Sequence, residues 1–228
     1  MVRNIILKKK DTIILFDLDG TLIDSTDAIL EGFSVAFKRF EYKVPNDELI
    51  KAQIGYPLEN MFKSLGAKDH HITNLVLEYK NHYRKINKEK TYLLDGAKEA
   101  IIEASKFATL GIVTTKTAHF SVVLLENMEI MQYFDTLIGR EDVTNPKPHP
   151  EPIIKALERL NKNIINKDNI WMIGDTPMDM ISAKKANIKS IGLTCGYGLE
   201  DDLKIDTDII KDSALEAIRH IRSSIIYS

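Results

Sequence analysis

The stretch IILFDLDGT at residues 13–21 decides the fold. Its first four residues, Ile13 to Phe16, are apolar on both faces of an extended chain, and polar residues and a glycine end the run abruptly. This combination is typical of a buried central strand in a parallel sheet. Similar runs recur at residues 110–115, 170–174 and 190–194, separated by stretches with helical periodicity. Strands that alternate with amphipathic helices predict an open α/β fold.

The interval between the first two predicted strands departs from this alternation. No strand-like run appears from about residue 24 to about residue 94, and apolar residues such as Ile29, Phe33 and Phe37 recur there at helical spacing. A crossover between parallel strands needs only about a dozen residues, so about 70 residues of helix indicate an inserted domain. The predicted class is α/β, a Rossmann-like three-layer core with a parallel sheet, plus an inserted α-helical cap domain. The predicted domains are an α/β core of residues 1–23 and 95–228 and a helical cap of residues 24–94.

The charge balance limits the partners that we expect. The chain has 228 residues, with 31 Lys and Arg against 33 Asp and Glu, a net charge of -2 at pH 7. Because a chain with no net positive field does not attract polyanions, neither nucleic acid nor an anionic membrane is an expected partner. No stretch approaches the roughly 20 apolar residues that span a bilayer.

Cysteine content and the first residues bear on location. The single cysteine, Cys195, cannot form a disulfide within the chain and favours a reducing compartment. The apolar run at residues 5–7 is too short for the hydrophobic region of a signal peptide. We therefore expect a cytoplasmic protein, and the sequence leaves its oligomeric state open.

Acidic residues follow two of the predicted strands, where ligands of open parallel sheets bind. Asp17 and Asp19 stand two residues apart, so their side chains share one direction at strand spacing. Asp175 and Asp179 stand four apart where a later strand turns into a helix. Carboxylates in this arrangement suit Mg²⁺, although the first pair alone is equally consistent with a turn and a helix cap.

Two further strand ends carry groups that suit a phosphate. Thr114 and Thr115 place hydroxyls and backbone N–H groups at the mouth of the sheet. Lys147 stands between Pro146 and Pro148, and these prolines restrict the backbone around it. Each signal alone also fits an ordinary strand or a solvated loop, but their fixed order on one α/β framework favours a common site.

This ordered set resembles the motifs of the haloacid dehalogenase-like hydrolase superfamily. The resemblance is to its phosphoglycolate phosphatase-like group, in which a helical cap follows the first motif, and it covers nearly the whole chain. The first motif is at residues 17–22, the second ends at Thr114, the third centres on Lys147 and the fourth is Gly174-Asp175 with Asp179.

The resemblance implies a catalytic role for several of these residues. Asp17 is implied to be the nucleophile that attacks phosphorus and forms an aspartyl-phosphate. Asp19 is implied to protonate the leaving alkoxide and then to take a proton from the hydrolytic water. Lys147, Thr114 and the N–H of Thr115 are implied to bind the oxygens of the transferring phosphoryl group.

The resemblance also implies the residues that hold a metal. Asp17, the backbone carbonyl of Asp19 and Asp175 are implied to bind Mg²⁺, which helps to supply the positive charge that the attack on a phosphate dianion requires. Asp179 is implied to act through a bound water or to orient Lys147.

Other activities of the superfamily remain as alternatives. Asp19 argues against a dehalogenase, because that branch lacks a carboxylate at this position. A phosphosugar mutase usually carries an arginine in the cap shortly after a glycine, and Leu58 stands near that place here. We therefore expect a phosphatase acting on a small phosphorylated metabolite similar to phosphoglycolate. The alternatives are an inorganic pyrophosphatase of the same family, a phosphosugar mutase, or a binding protein that has lost turnover.

Overall fold

The computed structural model of the chain describes residues 12–160, 167–207 and 209–226. The predicted core residues 1–11, including the apolar run at residues 5–7, lie outside the described residues. The strands are β1 (Ile13–Phe16), β2 (Ile23–Asp24), β3 (Tyr92–Leu93), β4 (Thr109–Val113), β5 (Thr136–Ile138), β6 (Ile170–Gly174), β7 (Lys189–Leu193) and β8 (Ile210–Lys211). The helices are α1 (Thr26–Arg39), α2 (Asp47–Lys51), α3 (Leu58–Ser64), α4 (Asp69–Ile86), α5 (Ala97–Ser105), α6 (Ala118–Asn127), α7 (Glu151–Arg159), α8 (Pro177–Ala186), α9 (Glu200–Leu203) and α10 (Ala214–Ile226).

Six strands form one parallel sheet in the order β5-β4-β1-β6-β7-β8. The strand β1 lies at its centre between β4 and β6, as expected for a run that is apolar on both faces. The four predicted strand runs are confirmed as β1, β4, β6 and β7, with ends that shift by at most two residues. The short edge strands β5 and β8 were not predicted.

The two faces of the sheet pack against different helices. Ile14 and Phe16 of β1 belong to a cluster that includes residues of α5, α6 and α10. Their neighbours Ile13 and Leu15 belong to a second cluster, which includes residues of α7 and α8. Because successive side chains of a strand point to opposite faces, this alternation makes three layers. The predicted α/β, Rossmann-like core with a parallel sheet is confirmed.

The helices α1 to α4 follow one another between β2 and β3 and have a core of their own. Phe33 and Phe37 of α1 pack with Phe62 of α3 and Tyr79 of α4, with ring centroids 4.5 to 6.3 Å apart. We call α1 to α4 with their connections the helical cap. Its boundaries at residues 24 and 94 stay a prediction.

One expectation about the interval between residues 24 and 94 was wrong. The structure has a strand there, because β3 pairs antiparallel with β2 at the point where the chain returns from the helical cap. The N–H of Leu94 also donates to the carbonyl of Leu22, at 3.0 Å. Two-residue strands show no periodicity, so only their pairing in the folded chain reveals them. The pair ties the two ends of the cap together.

The packing of the cap gives a test of its contribution to stability. Leu75 of α4 is fully buried in the cap cluster. We expect Leu75→Ala to lower the free energy of unfolding by about 3 kcal/mol, because it removes apolar contacts and leaves a cavity. Leu77→Ala is the matched control, since Leu77 lies on the same helix and is 55% exposed, and its effect is expected to stay within about 0.5 kcal/mol. Urea unfolding measures both, and equal losses would contradict a packed cap core.

A search for membrane-spanning segments in the described residues finds no helix that combines the length and the apolar character that a bilayer crossing requires.

Candidate active site

The carboxyl ends of the central strands bring the first, second and fourth motifs together. Phe16, the last residue of β1, is in register with Ile112 of β4 and with Ile173 of β6. The N–H of Asp17 continues the ladder and donates to the carbonyl of Ile173 at 2.9 Å. Thr114, which follows β4, therefore lies at the same edge of the sheet as Asp17 and the residues after β6.

Three buried acids meet at this edge. Carboxylate oxygens of Asp17, Asp175 and Asp179 lie within 4.8 Å of one another. The ammonium of Lys147 enters the cluster, 2.9 Å from Oδ1 of Asp17 and 2.5 Å from Oδ1 of Asp179. It also donates to the carbonyl of Val113 at 3.0 Å. We call Asp17, Asp175, Asp179 and Lys147 the acidic cluster.

The electrostatics of the acidic cluster follow from three buried carboxylates, two of which pair with the ammonium of Lys147. Burial raises the pKa of Asp17 to about 7, with Lys147 lowering it and Asp179 raising it. Burial also raises the pKa of Asp175 well above its usual range, and the charges of Asp17 and Asp179 add to this. Burial alone lowers the pKa of Lys147, but its two acidic partners outweigh burial and raise it. Lys147 is therefore the fixed positive charge of the cluster.

Local contacts orient Asp175. The hydroxyl of Thr21 donates to its Oδ1 at 2.8 Å, and the N–H of Tyr197 donates to its Oδ2 at 2.9 Å. Gly20 passes directly beside this carboxylate with φ of +81°, and a Cβ at that position would collide with it. Glycine is required at residue 20 for both the left-handed backbone and the close approach.

The helix α8 positions Asp179. Thr176 is its N-cap residue, and both its N–H and its hydroxyl donate to Oδ2 of Asp179, at 3.1 and 2.7 Å. This leaves Oδ1 of Asp179 to Lys147. Both oxygens of Asp179 thus have protein donors, one of which is the ammonium of Lys147.

Asp19 lies beside the cluster and faces the helical cap. Its Oδ2 is 2.9 Å from the ammonium of Lys116, and its Oδ1 accepts a hydrogen bond from the hydroxyl of Ser25. Burial lowers the pKa of Lys116, but the charge of Asp19 is the first of several contributions that raise it above its usual range. The carboxylate of Asp19 is therefore held apart from the three acids, with a cation of its own.

The two threonines after β4 have different surroundings. Thr114 is 4% exposed, and its hydroxyl accepts a hydrogen bond from the N–H of Lys116 at 3.1 Å. The hydroxyl of Thr115 donates to the carbonyl of Gly55 in the helical cap at 3.1 Å. Thr114 thus stays at the edge of the sheet, while Thr115 also contacts the cap.

The acidic cluster fits a divalent cation. Oδ1 of Asp17 is buried and, among the described residues, has no hydrogen-bond partner beyond its ion pair with Lys147. The cluster offers only carboxylate oxygens, the ligands that hard cations prefer. Because one ammonium faces three buried carboxylates, a cation would also reduce the cost of keeping all three ionised.

A pocket opens between the core and the helical cap beside Asp19. Lys116, Tyr83 and Lys80 line it together with Arg140 from the core, and Glu59 of α3 contributes an acid. The aromatic ring of Tyr83 has the ammonium of Lys116 4.7 Å from its centroid. We call this the cap pocket.

Sequence reasoning missed several residues that contact the predicted site residues. Lys116 directly follows Thr115, but its pairing with Asp19 was not predicted. Tyr197 reaches the site from the loop after β7 and also contacts Thr26 of the cap through its hydroxyl, at 3.0 Å. Contacts between separate elements carry no sequence pattern, so no signal could have found Tyr197.

Comparisons with known proteins agree with this geometry. A family model described as haloacid dehalogenase-like hydrolase matches residues 14–193. A pyrophosphatase PpaX of Oceanobacillus iheyensis is 31% identical over 189 residues, which cover 82% of this chain and 85% of that protein. A phosphoglycolate phosphatase of Salmonella typhi is 29% identical over 226 residues, covering 88% of each chain. A crystal structure from Clostridium acetobutylicum, described as a predicted phosphatase, has a TM-score of 0.84 at 28% identity and covers 93% of this chain and 98% of that one.

Proposed function

The chain belongs to the haloacid dehalogenase-like hydrolase family and is a phosphatase of that family, and from this premise we propose that it hydrolyses a small phosphorylated metabolite through an aspartyl-phosphate at Asp17, with Mg²⁺ as cofactor. The favoured substrate resembles phosphoglycolate. A cytoplasmic location, favoured by the single cysteine, is part of the same proposal.

One observation supports this proposal most strongly. Oδ1 of Asp17 is buried at the end of the central strand and has no partner among the described residues beyond the ammonium of Lys147, which holds it by an ion pair of 2.9 Å. A carboxylate that is held in place but not saturated with donors suits a nucleophile. Asp175 differs, because a donor contacts each of its oxygens.

The proposed reaction has two steps. An oxygen of Asp17 attacks phosphorus, the bond from phosphorus to the ester oxygen breaks, and the electron pair leaves with that oxygen. In this step Asp19 acts in its protonated form, not as the carboxylate that pairs with Lys116, and gives its proton to the leaving oxygen. It then takes a proton from the water that attacks phosphorus, which releases phosphate and restores Asp17. Lys116 and Ser25 orient the carboxyl of Asp19 for both transfers.

Charge stabilisation comes from groups at the edge of the sheet. Lys147 provides a buried cation next to Asp17, and Thr114 and Thr115 provide donors for the phosphoryl oxygens. Asp17, Asp175 and the backbone carbonyl of Asp19 would hold Mg²⁺, with Asp179 acting through water or through Lys147. When bound, the metal supplies positive charge that offsets the repulsion between a phosphate dianion and the attacking carboxylate.

Inorganic pyrophosphate is the second candidate substrate. It is favoured by the 31% identity to a pyrophosphatase over 82% of the chain. The same in-line attack by Asp17 would apply, with phosphate as the leaving group.

The metal dependence of p-nitrophenyl phosphate hydrolysis tests the proposal. Removal of divalent metal with EDTA is expected to lower the rate by at least about 100-fold, because several kcal/mol of charge stabilisation are lost. Addition of excess Mg²⁺ is expected to restore it. Full activity after complete metal removal would contradict the proposed role of the acidic cluster.

A further inference from the structure

Tyr83 and Arg140, which line the cap pocket, each have a buried polar atom with no hydrogen-bond partner among the described residues. These atoms are the hydroxyl oxygen of Tyr83, a residue that is 3% exposed, and Nε of Arg140. Buried polar groups are nearly always paired, because leaving one unpaired costs about 1–3 kcal/mol. Both groups can donate a hydrogen bond. A ligand that fills the pocket and accepts these bonds would satisfy both.

The charges of the cap pocket also favour an anion. Lys80 lines it and has no ion pair with an acid among the described residues. Arg140 donates through Nη1 to the carbonyl of Val143 at 3.2 Å, a neutral partner that leaves its charge uncompensated. The two acids of the pocket do little to neutralise the charges of Lys80 and Arg140, because Asp19 is paired with Lys116 and Glu59 is exposed.

From these observations we propose that Tyr83 and Arg140 anchor a second anionic group, a carboxylate or a phosphoryl group, on the leaving group of the substrate. This inference rests on the proposed function, since it places the scissile phosphate at Asp17 and the leaving oxygen at Asp19. The inference assigns substrate specificity to Tyr83 of the cap and Arg140 of the core, which line one pocket because the cap covers this edge of the sheet.

The geometry limits the leaving group to a short one. The ammonium of Lys116 lies 2.9 Å from Oδ2 of Asp19 and 4.7 Å from the ring centroid of Tyr83, so one side chain contacts both the proton donor and the ring that carries the anchoring hydroxyl. The N–H of Arg140 donates to the carbonyl of Lys116 at 2.9 Å, which fixes Arg140 to the same segment.

The apolar wall of the pocket strengthens this selection. Ile29, Ile54 and Met61 of the cap line the same space. Because these side chains exclude water, the attraction between an anion and the guanidinium of Arg140 is stronger than in solvent.

A matched pair of substrates tests the proposal. Ethyl phosphate has a methyl group where 2-phosphoglycolate has its carboxylate, so the ratio of their kcat/KM values isolates the second anion. Pyrophosphate carries a phosphoryl group as its second anion but also has a better leaving group, so the change in its ratio between wild type and variant is the measurement used. We expect the wild-type ratio to favour at least one anionic substrate over ethyl phosphate by about 10-fold or more. Arg140→Met is expected to lower that ratio by about 10- to 100-fold, and Tyr83→Phe by about 10-fold, as for hydrogen bonds to a charged group. Arg39→Met, an exposed arginine at the end of α1, is the control and leaves the ratio unchanged.

The outcomes separate this inference from the proposed function. A loss confined to 2-phosphoglycolate identifies a carboxylate as the second anion, and a loss confined to pyrophosphate identifies a phosphoryl group. A purely structural role of Arg140 or Tyr83 would lower all rates and leave the ratios unchanged, which overturns the inference. A wild-type enzyme that shows no preference for either anionic substrate also overturns it. Failure to hydrolyse any phosphate ester would instead overturn the proposed function.

Discussion

Asp17→Asn is expected to lower kcat for p-nitrophenyl phosphate by at least about 10⁴-fold, because an amide cannot form the acyl phosphate on which turnover depends. Asparagine has nearly the shape of aspartate, so the substitution removes the nucleophile with little change in packing. Initial rates at saturating substrate and Mg²⁺ measure the effect. Asp201→Asn, at an exposed acid of α9, is the matched control and keeps full activity.

Stability separates loss of the nucleophile from loss of the fold. Burial raises the pKa of Asp17 from 3.8 to about 7, so in the metal-free protein the cost of this carboxyl to folding builds up as the pH rises from 3.8 to about 7 and is fully present above that value. A neutral amide removes this cost, and we expect metal-free Asp17→Asn to be at least as stable as wild type at pH 8. Inactivity together with a lower unfolding midpoint would point to misfolding. Retained activity would exclude Asp17 as the nucleophile.

Lys147→Met is expected to impair both catalysis and stability. It removes the cation that lies 2.9 Å from Asp17 and 2.5 Å from Asp179, and leaves their charges uncompensated. We expect kcat to fall by about 10³-fold or more and the free energy of unfolding by about 3–5 kcal/mol at pH 8. Urea unfolding and initial rates measure the two effects.

The pH dependence of the Lys147→Met defect has a definite sign. The pKa of Lys147 is raised, so its charge is constant between pH 5 and pH 8 and the change must come from the acids. Without Lys147 the acids protonate more readily, so the stability loss is expected to be smaller at pH 5 than at pH 8. Lys106→Met, an exposed lysine after α5, is the control with little effect at either pH. An equal loss at both pH values would contradict a charge-based role for Lys147.

The strands of four or five residues could be predicted from the sequence, whereas the strands of two or three residues could not. The predicted run at residues 170–174 has the same first and last residues as the strand β6, because a strand buried on both faces carries no charged or strongly polar residue to interrupt the pattern. The strands β2, β3 and β8 have two residues each, and β5 has three. Such strands depend on neighbours that are distant in sequence, so local pattern does not define them.

Some residues of the candidate site could likewise be grouped from the sequence, whereas the contacts between the cap and the core could not. Asp17, Thr114 and Asp175 could be grouped from sequence because each follows a strand of one parallel sheet. Lys147 comes from a loop, and the order of the signals along the chain and the resemblance to a known family linked it to the others. The pairing of Lys116 with Asp19 and the unpaired donors of Tyr83 and Arg140 depend on how the cap lies against the core. No local pattern encodes that placement.

The most direct test of the central claim is to trap the phosphorylated enzyme. The enzyme is quenched in acid during turnover with Mg²⁺, and the peptide that contains Asp17 is examined by mass spectrometry. We predict that this peptide gains the mass of one phosphoryl group, with the modification on Asp17, and that the gain is absent without substrate. An unmodified Asp17 at every quench time during active turnover, or a phosphoryl group on another residue, would contradict nucleophilic catalysis by Asp17.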